Sequence, residues 1–249
     1  MQDSFTGFFR IIDKHNLSTV QNPEEGILLL IDKPLHWTSF DVVNKLRYAF
    51  KRALQTKSFK VGHAGTLDPM ASGLLLVCAG KYTKEIDRLS GMDKSYIATV
   101  KLGATTASYD SEAPEENIQP FIHISQEDIK NAITDFQGVQ SQIPPIYSAI
   151  KMNGQSAYKL ARRGEEVEMK AREVTIHNIE VISIDLPYIK LDVTCSKGTY
   201  IRSLAHDIGT KLGCGGYLSA LVRTAIGDFR IEPALSVDET VAWISEGMI

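Results

Sequence analysis

Cysteine is scarce in this 249-residue sequence: Cys78, Cys195 and Cys214 are the three present, far apart and never in a C-x-x-C pair. An odd, scattered set builds neither a disulfide framework nor a zinc site and suits small core filler in a reducing compartment. The six histidines, His15, His36, His63, His123, His177 and His206, form no H-x-x-x-H pattern, so no metal is expected. No hydrophobic run reaches membrane-spanning length, and no basic segment followed by an apolar one opens the chain. The expectation is therefore a cytoplasmic protein without membrane attachment. Also lacking are the G-x-x-x-x-G-K-S/T spacing of a P-loop, a G-x-G-x-x-G after the first apolar run, and a serine in G-x-S-x-G. Nor is there an excess of positive charge: 27 Lys and Arg face 30 Asp and Glu, for a net charge of −3. That balance speaks against a general nucleic-acid-binding coat and leaves polyanion contacts to local patches.

What is present is ordinary in composition, 43% hydrophobic and 23% charged, and long enough for one large domain or two modest ones. No internal repeat or interdomain linker stands out. The richest stretch is Gly62 to Gly73, with three glycines, His63, Thr66 and an Asp68-Pro69 step ahead of the apolar run Leu74 to Cys78. Glycine admits positive φ or close approach, and Pro69 biases Asp68 toward an extended backbone. Two readings stand side by side: a turn in which Asp68 bonds its own backbone, and a carboxylate held on a rigid loop for chemistry.

Ahead of that loop, Ile27 to Ile31 reads as a buried strand. Thr38 or Ser39 caps a helix with Val42, Val43, Leu46, Ala49, Phe50 and Ala53 on its inner face. Lys45, Arg47, Lys51 and Arg52 mark the other face, either a solvated surface or a phosphate-binding patch. Beyond the loop, Lys81 to Leu89 reads as a short helix, Lys94 to Gly103 as a strand with Tyr96 on one face, and Thr105 to Asn117 as a polar surface loop. Ser125 caps a helix running to Phe136, with Asp128 as its capping-box partner. The prolines of Gln142 to Ile150 preclude regular structure. A cationic helix over Ser156 to Gly164 follows, then a hairpin of Val174–Ile184 and Tyr188–Cys195. A helix opening at Thr199 carries Tyr200 and Arg202 in its first turn. A cation there opposes the helix dipole and calls for a carboxylate or phosphate partner. Ser236 and Glu239 form the capping box of a last helix.

The loop Gly-His-Ala-Gly-Thr-Leu-Asp-Pro resembles the signature of the TruB family of tRNA pseudouridine-55 synthases. Leu29 to Pro34, Lys94-Ser95-Tyr96, Ile143 to Ala149 and Cys195 to Arg202 resemble further motifs of that family, in its order. The resemblance runs from about Gly26 to Phe229. It implies an α+β pseudouridine synthase fold, with a mixed, mainly antiparallel sheet and a central RNA-binding cleft flanked by helices and loops. It implies Asp68 as nucleophile or base on a flipped-out uridine. Tyr96 would stack on the uracil and assist proton transfer, and Arg202 would keep Asp68 ionised, with Asp110 completing the charge network. Tyr200 and Leu221 would line the base pocket, Lys33 would belong to the substrate-binding set, and His63 would contact RNA. Backbone contacts would fall to Lys45, Lys51 and Arg52, and to Lys151, Lys159, Arg162 and Arg163 on a thumb-like loop over about 142–172. Residues 1–25 would be a leader or short packed arm and 26–249 the catalytic domain, with no C-terminal PUA domain. The expected partner is tRNA, through its T-loop and T-arm, with no cofactor and no obligatory protein partner. A pseudouridine synthase acting on another RNA, a non-catalytic tRNA-binding or folding factor, and a uracil-releasing hydrolase remain as competing readings.

Overall fold

The computed structural model describes residues 8–148, 150–152, 155–157, 163, 168–246 and 248; at 151, 152 and 156 it describes the backbone alone. The longer elements begin with β1 (Ile11–Ile12), β2 (Ile27–Lys33), α1 (Ser39–Ala53), β3 (Val61–Ala64), β4 (Ala71–Ala79), α2 (Ile86–Ser90) and β5 (Lys94–Leu102). They continue with α3 (Gln126–Thr134), β6 (Gly138–Gln142), β7 (Arg172–Asp185), β8 (Tyr188–Cys195), α4 (Ile201–Lys211), β9 (Gly216–Ile226) and α5 (Val237–Glu246). The chain divides into two compact units, Met1–Ser95 with Val222–Ile249, and Tyr96–Leu221.

In the first unit, β2 and β4 pair antiparallel from Ile27↔Ala79 to Lys33↔Gly73, and β3 pairs with β4 from Val61↔Ala79 to Ala64↔Leu76. Their apolar runs do not alternate with polar residues because both sheet faces are covered. Leu29, Ile31, Leu75 and Val77 pack against Val42, Leu46 and Phe50 of α1 and Trp243 and Ile244 of α5. Leu28, Leu30, Leu74, Leu76 and Cys78 point the other way, into a cluster with Leu89, Ile226 and Phe229. Burial pushes the Cys78 thiol up to about 12, as befits an inert core residue. The described part of residues 1–25 is a packed arm: β1 runs parallel to β2, and Ile12 and Val20 are fully buried. Two of the helices start as their sequences require, with reciprocal capping boxes at Thr38–Asp41 and Ser236–Glu239.

The second unit is built differently. Along β5, buried and half-buried residues alternate, with Tyr96, Ala98, Val100 and Leu102 on the buried side. β7 and β8 form the expected hairpin, closed by Leu186-Pro187 with Asp185 opposite Tyr188, and β6 adds to the far edge of β7. α3 opens on the Ser125–Asp128 capping box and packs against β7 and α4.

Several expectations need correction. Lys81 to Leu89 is a 3-10 turn over Gly80–Glu85 followed by the single-turn α2. The polar stretch Thr105 to Asn117 is no plain surface loop: Thr106, Ser108 and Asp110 are buried and hydrogen-bonded to one another. The cap of α4 is Tyr200, in extended conformation, rather than Thr199, whose hydroxyl bonds the Ser196 carbonyl instead. Most of the anticipated cationic helix over Ser156 to Gly164, including Lys159 and Arg162, lies outside the described residues.

Candidate active site

Asp68 sits on the loop joining β3 to β4, at the end of the sheet where β2 stops at Lys33. Every carbonyl from Gly65 to Pro69 is held. Arg223 donates to the carbonyls of Gly65 (3.1 Å) and Thr66 (3.3 Å), and through Nε to that of Leu74 (2.7 Å). The Ser39 hydroxyl donates to the Leu67 carbonyl (3.0 Å) and accepts from the Leu67 N–H (2.8 Å). The Asp68 carbonyl accepts from Ala71 N–H (3.1 Å) and the Pro69 carbonyl from His36 N–H (2.7 Å). Five consecutive anchors fix the backbone that carries the carboxylate, the preorganisation that a reacting group needs.

The glycines divide the work. Gly65 has φ +88°, a conformation open to glycine at little cost. A β-carbon on Gly73 would lie 2.4 Å from the Arg223 carbonyl, and one on Gly62 would lie 2.7 Å from Ile86 Cδ1. Two of the three glycines thus serve internal packing rather than access for a ligand.

The charges around the loop are cationic and buried. Lys33 is fully buried, its ammonium donating to the carbonyls of Pro34 (2.8 Å) and Trp37 (2.7 Å). Burial pushes its pKa down to about 8; the Asp68 carboxylate opposes that shift, while the Arg223 guanidinium adds to it. His63 lies on β3, and burial together with Arg223 lowers its pKa, keeping the imidazole neutral at neutral pH. Lys33, His63 and Asp68 therefore share one electrostatic environment, organised by an arginine that sequence reasoning missed. Its signal was there: Arg223 interrupts the apolar run Leu221 to Ile226, and it is 1% exposed.

In the second unit Tyr96 lies on the buried face of β5 and Leu221 is half-buried on β9. The backbone of Tyr200 is clamped by the buried Gln142, whose amide accepts from the Tyr200 N–H (2.8 Å) and donates to its carbonyl (3.0 Å). Its ring faces the Arg172 guanidinium at 4.5 Å, a cation–π contact. Arg202, on the first turn of α4, finds the carboxylate its position calls for: Nη1 lies 3.6 Å from Asp110 Oδ2 and donates to the Ser108 carbonyl (3.2 Å). Asp110 commits its other oxygen to the Ser108 hydroxyl (2.5 Å) and the Glu112 N–H (3.0 Å). Gln142 carries no marker in the sequence, and Arg172, at the end of the segment expected to meet phosphates, is instead turned to the Tyr200 ring.

Of the cations expected to meet RNA, Lys45 and Arg52 are exposed and Lys51 half-exposed on α1. Lys51 and Arg52 also complement the helix dipole in the last turn. Arg47 is spent internally on the Val61 carbonyl (2.9 Å). Arg163 is exposed and bonds Gln155, whereas the side chain of Lys151 lies outside what is described. No described helix is long and apolar enough to cross a membrane.

One unit carries an immobilised Asp loop on a doubly covered sheet; the other carries a clamped tyrosine and an arginine–aspartate pair. The chain belongs to the TruB family of pseudouridylate synthases: the family's N-terminal domain model matches residues 51–201, and that of the tRNA pseudouridylate synthase B C-terminal domain matches 202–245. It is 50% identical over 225 residues to tRNA pseudouridine synthase B of Phocaeicola vulgatus, covering 90% of this chain and 96% of that protein. It is 47% identical over 232 residues to tRNA pseudouridine synthase B of Chlorobaculum tepidum, covering 93% and 95% respectively. Among solved structures it resembles a chain of a Cbf5-Nop10-Gar1 complex (TM-score 0.67, 29% identity, 91% of this chain and 57% of that one). It also resembles one in an H/ACA RNP bound to a substrate RNA containing 2′-deoxyuridine (TM-score 0.63, 27% identity, 89% and 56%). The chain spans little more than half the length of those two. The mixed, mainly antiparallel fold expected from the family resemblance is the one observed.

Proposed function

We propose that this protein isomerises uridine 55 in the T-loop of tRNA to pseudouridine, acting in the cytoplasm without a cofactor or an obligatory protein partner, with residues 26–249 as its catalytic domain. The observation that carries this reading is the Asp68 loop, each of whose carbonyls from Gly65 to Pro69 is anchored while Lys33 and Arg223 supply buried positive charge around it. Isomerisation breaks the bond from uracil N1 to ribose C1′, turns the base and joins C5 to C1′; C5 gives up its proton and N1 takes one up, so atoms are conserved. Asp68 serves as nucleophile at C1′ or as base on a ribose proton. Extruding the uridine costs a few kcal/mol, recovered by stacking on Tyr96 and contacts with Tyr200 and Leu221. Arg202, oriented by Asp110, supplies the cation of the reaction. His63 meets RNA as a neutral hydrogen-bonding ring, and Lys45, Lys51, Arg52 and the thumb-like loop neutralise phosphates.

The test is a tRNA transcript tritiated at uracil C5, incubated with wild type and with Asp68→Asn. Tritium released by wild type alone, mapping to the T-loop uridine, supports the reading. Tight binding without release returns the protein to a folding factor, and free uracil to a hydrolase. Release from another RNA in preference to tRNA reassigns the substrate.

A further inference from the structure

Two contacts join the same two segments of the second unit. Arg202 and His206 stand four residues apart on α4, hence on one face of the helix. Ser108, Tyr109 and Asp110 run past that face, and each of the three touches it. The Ser108 carbonyl accepts from Arg202 Nη1 at 3.2 Å, and Asp110 Oδ2 lies 3.6 Å from the same nitrogen. Between them the Tyr109 ring stacks on the His206 imidazole, with centroids 3.9 Å apart and planes at 12°. Tyr109 holds this position at φ +61°, a left-handed conformation that a bulky aromatic seldom takes and that persists only where its surroundings over-determine it. Its carbonyl is engaged as well, by the Leu218 N–H at 3.0 Å.

We propose that the Tyr109–His206 stack is a positioning device that sets the Asp110 carboxylate against Arg202 and thereby holds the arginine in its working orientation. The inference rests on the reading of Arg202 as the cation of the reaction. At 3.6 Å the ion pair is a contact between charges rather than a short, directional hydrogen bond. Stacking adds what the ion pair lacks, a flat contact that fixes both distance and rotation between the helix and the strained segment. The burial that lowers the pKa of His206 keeps its ring neutral at neutral pH, so no second cation competes with Arg202 for Asp110.

The experiment compares His206→Ala, His206→Phe, Tyr109→Gly and Asp110→Asn by kcat and KM on tRNA, with thermal melts of each. Tyr109→Gly relieves the backbone strain while removing the ring, so a fall in kcat there cannot be blamed on a poorer backbone fit. The expected result is a loss of about ten- to a hundredfold in kcat for His206→Ala and Tyr109→Gly, with KM within about twofold, and substantial recovery in His206→Phe, which keeps a flat ring. Adding His206→Ala to Asp110→Asn should then cost little more, because both act through one arginine. Unchanged kcat in His206→Ala beside a defective Asp110→Asn overturns the stack alone. A fully active Asp110→Asn overturns the reading of Arg202 beneath it. Losses that add in the double variant, or that His206→Phe leaves unrelieved, also overturn the proposal.

Discussion

Ser39 Oγ satisfies both backbone polar groups of Leu67, accepting from the N–H at 2.8 Å and donating to the carbonyl at 3.0 Å. A serine at the start of α1 thus reaches 28 residues along the chain to hold the residue before Asp68. Replacing it with alanine leaves a buried donor and a buried acceptor unmet, at about 1–3 kcal/mol. We expect Ser39→Ala to lower the melting temperature by several degrees and kcat by about tenfold, with KM for tRNA nearly unchanged. An unaltered kcat would show that the loop keeps its geometry without this anchor.

Arg223 is the larger anchor. Arg223→Met removes donors from three carbonyls, and Arg223→Lys keeps the charge but loses the planar fork that reaches all three. Both should lose stability in urea unfolding, by about 3 kcal/mol or more for the methionine. Rescue of activity by lysine would mean that charge rather than geometry is what Arg223 contributes.

Lys33 should make the activity sensitive to alkali. Its folded pKa of about 8 lies below the unfolded 10.5, so between those values the folded state has shed a proton that the unfolded state keeps. The cost of burying the ammonium is present in full below pH 8 and fades as pH rises to 10.5, so wild type should gain stability relative to Lys33→Met across that window. Activity should run the opposite way, falling above about pH 8 as the cation beside Asp68 is neutralised, in a limb that Lys33→Met lacks. In Arg223→Met the limb should move to higher pH, because Arg223 pushes that pKa down. A limb that persists in Lys33→Met assigns it to another group.

Gly73→Ala tests the close approach of two strands. Its β-carbon would meet the backbone of Arg223 at 2.4 Å, and neither backbone has a rotamer to yield. Overpacking of this kind costs about 1–3 kcal/mol, with the positive φ adding strain, so the variant should melt several degrees lower. A melting point equal to wild type would show that the strands separate freely.

Charge reversal at Lys159, Arg162 and Arg163 should weaken tRNA binding and flatten its salt dependence by about 0.7–0.9 in slope for each phosphate no longer neutralised. The same change at Lys45, Lys51 and Arg52 should act likewise, whereas a slope that stays at the wild-type value removes that group from the interface.

Much of the local structure was legible in the chain. Capping boxes at Thr38, Ser125 and Ser236, the hairpin ended by Leu186-Pro187, and the continuous apolar runs of β2 and β4 all depend on residues close in sequence. The loop around Asp68 also stood out, through its glycines and its Asp-Pro step. Taken locally, however, it favoured a structural turn over a reactive carboxylate, and only resemblance across four other motifs reversed that reading.

Composition and short-range pattern therefore determined the elements and the absence of metal- and nucleotide-binding motifs, while the family came from resemblance across its motifs. The tertiary structure decided what holds the candidate site residues still. Ser39, Arg223, Gln142, Tyr109 and His206 carry no motif, because their partners lie up to 158 residues away and the contact exists only once the strands have paired. A hydrogen bond to a backbone carbonyl leaves no trace in the identity of the residue that owns the carbonyl. The sequence names Asp68, while folding alone reveals that an arginine near the other end of the chain is what keeps its loop in place.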